Sequence, residues 1–441
     1  MQTPALPPLQ TPPKLQGAKI TRESDAVTGS FAALGLGGNI VRALGELGAT
    51  APFAVQAATI PDALAGHHVL GRARTGSGKT IAFGAALVER IMRLKLEGAF
   101  PPDPARQKRE RGAPQSRKSA PAARDPKALI LAPTRELALQ IDRTVQPIAR
   151  AVGLYTAQLV GGQPFEPQLH ALERGVDIVI GTPGRIEDLS KRGQLELRNV
   201  AVTVIDEADL MSEFGFIDVV QRLLRRTRRG GQRLLFSATL DQAVQELVRE
   251  FMPDPAIHEV LDASGRRADG GDAVGESYLP PENVEHRVYL VLREDKDTAL
   301  TQLVATSGRT VVFCRTRSYV EHVAELLQAA GHSVTSLHGD IAQAKRERNL
   351  ARFAEGKARV LVATDVAARG IHIDDVETVL QADPPDDPKA YVHRAGRTGR
   401  VGRAGLVITL IPRTRQQRTR ELFAELGFEP DFTGDFRPNE Q

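Results

Sequence analysis

The chain has 441 residues, 41% hydrophobic and 25% charged, which is typical of a folded protein too long for one ordinary core. Its single cysteine, Cys314, excludes an internal disulfide and a cysteine-based zinc site, and indicates a reducing, cytoplasmic environment. No apolar run approaches the roughly 20 residues of a membrane-spanning helix, so no membrane association is expected.

Strand-like and helix-like segments alternate along most of the chain. This alternation predicts an α/β fold with doubly wound parallel sheets. We expect a disordered tail at 1–28, a first domain at 29–260, a Gly- and Asp-rich linker at 261–284, a second domain at 285–412 and a short C-terminal tail at 413–441. The strand candidates are Lys127–Ala132, Val176–Ile180, Val202–Ile205, Arg233–Phe236, Arg309–Cys314, Ser333–Leu337, Ala358–Ala363, Val376–Leu380 and Leu406–Leu410.

An insertion at 97–126 interrupts the first domain. It is rich in proline and charge and lacks periodicity. Residues 101–126 hold seven basic and three acidic side chains, a net of +4 that equals the formal net charge of the entire chain. The insertion is interpreted either as a non-specific nucleic-acid tether or as a disordered, solubilising loop.

A glycine-rich loop ending in Lys-Thr precedes the apolar helix pattern Ile81–Met92. Its backbone N–H groups and the following helix N-terminus favour phosphate binding over an ordinary turn. Lys79 is expected to reach the outer phosphates, and the Thr80 hydroxyl to ligate Mg²⁺. The nucleotide-binding residues of this loop are Thr75, Gly76, Ser77, Gly78, Lys79 and Thr80.

Two adjacent acids, Asp206 and Glu207, follow the apolar strand Val202–Ile205. Asp206 is expected to hold the Mg²⁺ shell, and Glu207 to orient an attacking water. A solvated acidic loop is the alternative, which the upstream phosphate loop disfavours. The hydroxyls of Ser237 and Thr239, at another strand end, are placed to bond to Asp209, and helix capping is the alternative.

Residues 393–400 read His-Arg-Ala-Gly-Arg-Thr-Gly-Arg. Three arginines among glycines suit an anion clamp better than a solvated helix face, and a plain basic turn is the alternative.

From about Phe31 to Arg400, these motifs and their order resemble the DEAD-box ATP-dependent RNA helicases of superfamily 2, as a bacterial minimal-core member. Residues 48–56 look like the family's adenine-recognising Q motif. The resemblance implies that Gln56 reads the adenine edge and that Phe31 stacks on the base. Ala49 and Phe53 depart from the motif, which usually has an aromatic residue and Thr there.

The resemblance also implies an RNA interface on both domains, although each loop alone is equally a strand-to-helix turn. Arginines, hydroxyls and glycines suit backbone contacts. The implied RNA-binding residues are Pro133, Thr134, Arg135, Gly161, Gly162, Thr182, Gly184 and Arg185 in the first domain, and Arg315, Thr316, Arg346 and Thr364 in the second.

Further roles follow from the same resemblance. Arg397 and Arg400 become arginine fingers that complete catalysis from the second domain. The residues implied to couple RNA binding to hydrolysis are Asp209, Ser237, Thr239 and His393. His372 stands where the family usually has an Asp associated with the ribose, so we expect a weaker ATP contact in the closed state.

The implied architecture is two tandem RecA-like domains whose closure on ATP, Mg²⁺ and RNA couples hydrolysis to local, sequence-nonspecific unwinding. The implied partners are single-stranded and short duplex RNA, with RNP, ribosome-assembly or degradation partners as further candidates; a monomer is expected. The alternatives are an ATP-gated RNA clamp or scaffold with little unwinding, a DNA translocase, and an inactive binder, which the intact catalytic set disfavours.

Overall fold

The computed structural model describes residues 17–22, 29–73, 76–101, 125–261, 283–368, 376–385, 387–399 and 404–437. Two parallel sheets organise them. The first sheet has the order β1-β8-β2-β7-β6-β3-β5-β4, and the second has the order β11-β12-β10-β13-β14-β9-β15.

The strands of the first sheet are β1 (Lys19–Arg22), β2 (Val69–Arg72), β3 (Ala128–Leu131), β4 (Thr156–Leu159), β5 (Ile178–Gly181), β6 (Val202–Ile205), β7 (Gln232–Ser237) and β8 (Ala256–Leu261). Its helices are α1 (Gly38–Glu46), α2 (Ala54–Ala65), α3 (Lys79–Leu96), α4 (Arg135–Arg150), α5 (Phe165–Arg174), α6 (Pro183–Lys191), α7 (Ala208–Glu213), α8 (Ile217–Arg226) and α9 (Gln242–Phe251).

The strands of the second sheet are β9 (Val284–Leu290), β10 (Thr310–Cys314), β11 (Val334–Leu337), β12 (Val360–Thr364), β13 (Thr378–Gln381), β14 (Gly405–Ile411) and β15 (Phe432–Asp435). Its helices are α10 (Lys296–Thr306), α11 (Arg317–Ala329), α12 (Gln343–Ala354), α13 (Asp365–Ala368), α14 (Pro388–Ala395) and α15 (Gln416–Leu426), the last preceded by the 3₁₀ turn Arg413–Arg415.

Each sheet is covered on both faces by helices, so four hydrophobic clusters form, two for each domain. The central strands β2, β3, β5, β6 and β7 are buried along their whole length. Such strands usually read as continuous apolar runs, and all nine predicted strands are present to within about two residues. The buried strand β2, which ends in Gly71 and Arg72, was not predicted. The doubly wound parallel α/β prediction is confirmed.

Both segments predicted as tails contribute to the sheets. Lys19–Arg22 pair in parallel with β8, so the prediction of disorder for 1–28 was wrong for these four residues. At the other end, α15 buries Leu422, Phe423 and Leu426 in the second domain, and β15 pairs with β9. The predicted tail at 413–441 is therefore part of the second domain as far as residue 437.

Parallel pairing places every strand's carboxyl end at the same edge of its sheet. In the first sheet this edge carries the loops after β2, β3, β5, β6 and β7, where the expected phosphate, acid and RNA-side residues lie. None of the helices in the described ranges combines the length and the apolar sequence that a membrane-spanning helix needs.

Candidate active site and nucleic-acid interface

A buried ion pair joins the phosphate loop to the acids after β6. The Lys79 ammonium lies 2.9 Å from Glu207 Oε1 and donates to the Ala73 carbonyl at 3.1 Å. Burial alone would lower the pKa of Lys79, but Glu207, Asp206 and Asp209 together raise it. The lysine is thus held cationic at the start of α3.

Asp206 lies beside this pair and is 2% exposed. Burial raises its pKa to about 7, the repulsion of Glu207 acts in the same direction, and Lys79 opposes it. One lysine therefore serves two adjacent carboxylates. The ionised form of Asp206 is therefore only partly stabilised, and a further cation beside it would stabilise that form.

Glu207 has left-handed backbone angles, φ 50° and ψ 57°, which are unusual for a residue other than glycine. Strain of this kind persists where the surrounding structure enforces it, and it concentrates at functional sites. It turns the chain sharply between β6 and α7. The sequence shows the acid pair but not this conformation.

Asp209 links the acid loop to the loop after β7, as predicted. Its Oδ2 accepts from both the backbone N–H and the hydroxyl of Thr239 at 3.0 Å. Ser237 Oγ accepts from the Asp209 backbone N–H at 3.1 Å and donates to the Thr239 carbonyl at 2.6 Å. Three buried residues thus form one network in which a shift of either loop moves the other.

The adenine side differs from the expectation. Phe31 is only 1% exposed and belongs to the first domain's core, so in this conformation its ring is not open to a base. Gln56 is also buried. Its Oε1 accepts from the Phe53 N–H at 2.8 Å, and its Nε2 donates to the Gly78 carbonyl at 3.1 Å. The Gln56 amide holds the phosphate loop through these two bonds, which use one of its two N–H groups and one lone pair of its oxygen.

On the RNA side of the first domain, two guanidinium groups converge. A Cβ at Gly162 would overlap the Arg135 guanidinium, so the glycine is what allows this close approach. Arg185 donates to the Gln163 carbonyl at 3.0 Å and stacks 4.1 Å from the Phe165 ring centre.

The surroundings of Arg185 favour the binding of an anion. Burial lowers its pKa, and Arg135 and Arg192 add to the effect although Asp188 opposes it. Its Nη1 is buried without a hydrogen-bond partner among the described residues. Clustered guanidinium groups with an unused donor suit a phosphate.

The other predicted RNA-side groups of the first domain lie in the same loops. Thr134 caps α4 by accepting from the Leu137 N–H at 3.2 Å, and Pro133 precedes it. The Gly161 N–H donates to the Thr182 hydroxyl at 3.4 Å, which joins the loops after β4 and β5. Gly184 is exposed beside them.

Comparison with known proteins decides the family. Residues 53–247 match the model described as DEAD/DEAH box helicase, and residues 295–402 match the helicase conserved C-terminal domain. RNA helicase CrhR of Synechocystis sp. is 37% identical over 391 residues, which span 88% of this chain and 71% of that protein. The chain belongs to the DEAD-box family of ATP-dependent RNA helicases. ATP-dependent RNA helicase RhlB of Pasteurella multocida is 40% identical over 385 residues, 86% of this chain and 82% of that protein.

Solved DEAD-box structures agree with the fold. Dbp5 of S. cerevisiae bound to RNA and ADP BeF3 matches with a TM-score of 0.72 and 26% identity, covering 92% of this chain and 95% of that chain. Mss116p bound to ssRNA and AMP-PNP matches with a TM-score of 0.74 and 26% identity, covering 96% and 83%. The chain is an ATP-dependent RNA helicase with two RecA-like domains.

In the second domain of this DEAD-box chain, the arginine-rich segment divides by role. Arg394 is 4% exposed and binds both Asp365 oxygens, at 2.6 and 2.5 Å. It also donates to Gln381 Oε1 at 3.1 Å and to the Asp383 carbonyl at 2.7 Å. The residue holds two loops together, a structural role that the anion-clamp prediction missed.

Arg397 lies just after α14 and is 7% exposed, while His393 lies within the helix and is half-buried. The fold of this turn is fixed by Thr398, whose hydroxyl donates to the carbonyls of Val376 and Glu377 at 2.7 and 2.8 Å. Arg400, His372 and, in the first domain, Thr75 lie outside the described residues.

The predicted RNA contacts of the second domain fall into two groups. Arg315 and Thr316 are exposed after β10, Thr316 as the N-cap of α11, and Thr364 ends β12. Arg346 instead lies 2.8 Å from Glu136 of the first domain, with both side chains largely buried. In this arrangement it forms an interdomain ion pair rather than an open phosphate contact.

Proposed function

We propose that ATP is hydrolysed at the edge of the first sheet, between Gly76–Thr80 and the strained acid loop Asp206–Glu207. The observation that carries this proposal is the buried Lys79–Glu207 pair beside Asp206. When the outer phosphates enter, the Lys79 ammonium binds them in place of Glu207, which releases Glu207 to orient the attacking water and accept its proton.

The donor set fits Mg²⁺. Burial and the repulsion of Glu207 raise the pKa of Asp206, which a bound cation would lower again, and the Ser77 hydroxyl is buried without a partner among the described residues. No cluster of three or more metal-binding side chains occurs in the described parts of the chain. That suits Mg²⁺, which keeps waters and phosphate oxygens as ligands. Thr80 and Asp206, the latter partly through water, would hold the ion, which would neutralise phosphate charge.

RNA is proposed to lie along Arg135, Gly162, Thr182 and Arg185, with the phosphates held by the two guanidinium groups. Contacts to the sugar-phosphate backbone give little sequence preference and a strong dependence on salt. The Asp209–Ser237–Thr239 network connects the acid loop to its neighbour and is proposed to transmit closure to Glu207.

The second domain is proposed to complete the site with Arg397 and Arg400 and to extend the RNA track with Arg315, Thr316 and Thr364. Neither domain alone holds the full set, so joint binding of ATP and RNA selects the closed form. Local separation of short duplexes follows when the closed form bends one strand. The proposed setting is a cytoplasmic monomer acting on RNA or RNP substrates.

The test measures ATP hydrolysis without nucleic acid, with RNA and with DNA, alongside displacement of a short RNA duplex. Glu207→Gln is expected to lower hydrolysis by a factor on the order of 10²–10⁴. Asp177→Asn is the matched control, because Asp177 is also buried and pairs with Lys127 at 2.8 Å at the amino edge of the sheet, away from the acid loop. It should lower stability but leave hydrolysis nearly unchanged.

Two outcomes would contradict the proposal. Hydrolysis stimulated by RNA without strand displacement would favour the clamp. Stimulation by DNA alone would overturn the proposed RNA track.

A further inference from the structure

A cluster of arginines extends from α8 into the turn before β7, outside the site described above. The segment carries Arg222, Arg225, Arg226, Arg228, Arg229 and Arg233. Arg222 and Arg225 are neutralised by Glu187 at 2.6 Å and Glu250 at 2.7 Å. Arg233 is buried and donates to the Thr227 hydroxyl at 2.6 Å. These three have structural partners.

The other three arginines are exposed and lack a carboxylate partner among the described residues. Arg226 donates to the Ser190 hydroxyl at 2.9 Å, and Arg228 donates to the Ala99 carbonyl at 3.0 Å. Arg229 has no hydrogen bond or ion pair within the described ranges. Their charges are oriented by neutral acceptors but not cancelled, so Arg226, Arg228 and Arg229 form an uncompensated basic cluster.

The neighbouring carboxylates are occupied. The Arg228 N–H donates to the Val200 carbonyl at 3.1 Å, which places the cluster against residues 196–200. There Glu196 pairs with Arg198 at 3.3 Å, and Asp125 accepts from the Asn199 amide at 2.8 Å. Asn199 carries no charge, so Asp125 offsets at most one of the three arginine charges, and the local balance remains positive.

The cluster lies at the amino edge of the first sheet, because β7 begins at Gln232 directly after it. Ser237, at the far end of β7, belongs to the ATP-side network. Six residues at roughly 3.3 Å each separate the two edges by about 20 Å. Contacts at this cluster thus leave the motif loops unobstructed.

Both ends of the basic insertion lie at the cluster. Ala99 accepts from Arg228, and Asp125 is held by Asn199. Between them, residues 102–124 hold seven basic and two acidic side chains, a net of +5.

We propose that Arg226, Arg228 and Arg229 form a second phosphodiester-backbone site, which holds RNA that continues beyond the motif loops. Exposed guanidinium groups without carboxylates suit phosphates, whose contacts carry affinity but no sequence information. The site anchors a long RNA on the first domain while the motif loops act on a short stretch of it.

The test compares wild type with the triple variant Arg226→Gln/Arg228→Gln/Arg229→Gln for binding of single-stranded RNA of roughly 10 and roughly 40 nucleotides, lengths at and beyond one typical site. Affinity is measured across a salt series. At about 0.7 per lost phosphate contact, the slope of log affinity against log salt should fall by about 2 on the long RNA only. Hydrolysis without RNA should be unchanged.

The matched control is Arg222→Gln/Arg225→Gln, which removes two arginines of the same helix that already have carboxylate partners. It should leave the slope nearly unchanged. Arg229→Gln alone, which breaks no contact among the described residues, should reduce the slope by about 0.7 and guards against misfolding of the triple variant. An equal loss of affinity on both RNA lengths, or no loss on either, overturns the proposal. The second result would indicate an acidic protein as the partner of this cluster.

Discussion

At the residue scale, Lys79 is the least replaceable charge of the ATP site. It offsets two buried carboxylates before ATP arrives and faces the phosphates afterwards. Lys79→Ala should lower ATP hydrolysis at least about a hundredfold, by analogy with the loss of one preorganised donor. Steady-state hydrolysis at saturating ATP and RNA measures it.

Lys127→Ala is the matched control, because Lys127 also pairs with a buried carboxylate, Asp177, at 2.8 Å, but at the amino edge of the sheet. Breaking either buried pair should destabilise the first domain by about 3–5 kcal/mol. If the Lys127 variant lost hydrolysis as fully as the Lys79 variant, the effect would be one of stability rather than of phosphate contact.

Phe53 is the N-cap residue of α2, yet its ring cannot accept a hydrogen bond and is 61% exposed. Phe53→Thr should therefore stabilise the first domain by about 1 kcal/mol through a new cap. Urea-induced unfolding measures the change. Thr134→Ala, which removes an existing cap, should lose a similar amount. An unchanged or lower midpoint for Phe53→Thr would contradict the capping argument.

Some residue roles could be predicted from the sequence and others could not. The contact of Asp209 with Thr239 followed from parallel strands, whose ends meet at one edge. The burial of Phe31 and the partner of Arg346 did not, because both depend on packing between segments distant in sequence. The left-handed Glu207 leaves no signal in residue type, since glutamate rarely adopts it.

At the scale of elements, the described strands that were not predicted are β1, β2, β4, β8, β9 and β15, of which β1, β4 and β15 are edge strands of four residues. β1 and β15 have four residues each and are mostly exposed, so neither shows the buried apolar run that identified the central strands. These segments become strands by pairing with β8 and β9, which lie far from them in the sequence. Composition at the chain ends indicated tails for the same reason.

The final strand brings aromatic side chains onto β9. Phe436 is 7% exposed and lies edge-on to Tyr289 with ring centres 6.1 Å apart. Phe436→Ala should cost the second domain about 3 kcal/mol, the low end for a buried phenylalanine. Phe432→Ala is the control: this ring also contacts Tyr289 but is 42% exposed, so about 1 kcal/mol is expected. Thermal unfolding compares them, and equal costs would show that the segment is not packed as described.

At the scale of the whole molecule, the Glu136–Arg346 ion pair joins the two domains beside the RNA-side loops. Arg346→Glu should weaken RNA-stimulated hydrolysis by placing two carboxylates together, and Glu136→Arg combined with it should restore part of the loss. A coupling energy on the order of 1–3 kcal/mol is expected from the double-mutant cycle. Arg348→Glu is the control, because Arg348 is exposed on the same helix and, among the described residues, its guanidinium donates only to the Ala344 carbonyl. Additive effects would mean that the pair does not contribute to closure.

The two-domain architecture itself was predictable, because each catalytic motif follows a strand and the motifs come in the family's order. The relative placement of the domains was not, since it rests on contacts such as Glu136–Arg346 that no local pattern encodes.

The central claim is that RNA binding completes a split ATP site. Its most direct test is the rate of ATP hydrolysis as a function of RNA concentration, for wild type and Arg397→Ala. The claim predicts that RNA raises the wild-type rate to a plateau, and that the variant loses this stimulation by a factor on the order of 10³ or more while still binding RNA. An Arg397→Ala protein that RNA stimulates as strongly as wild type would contradict it.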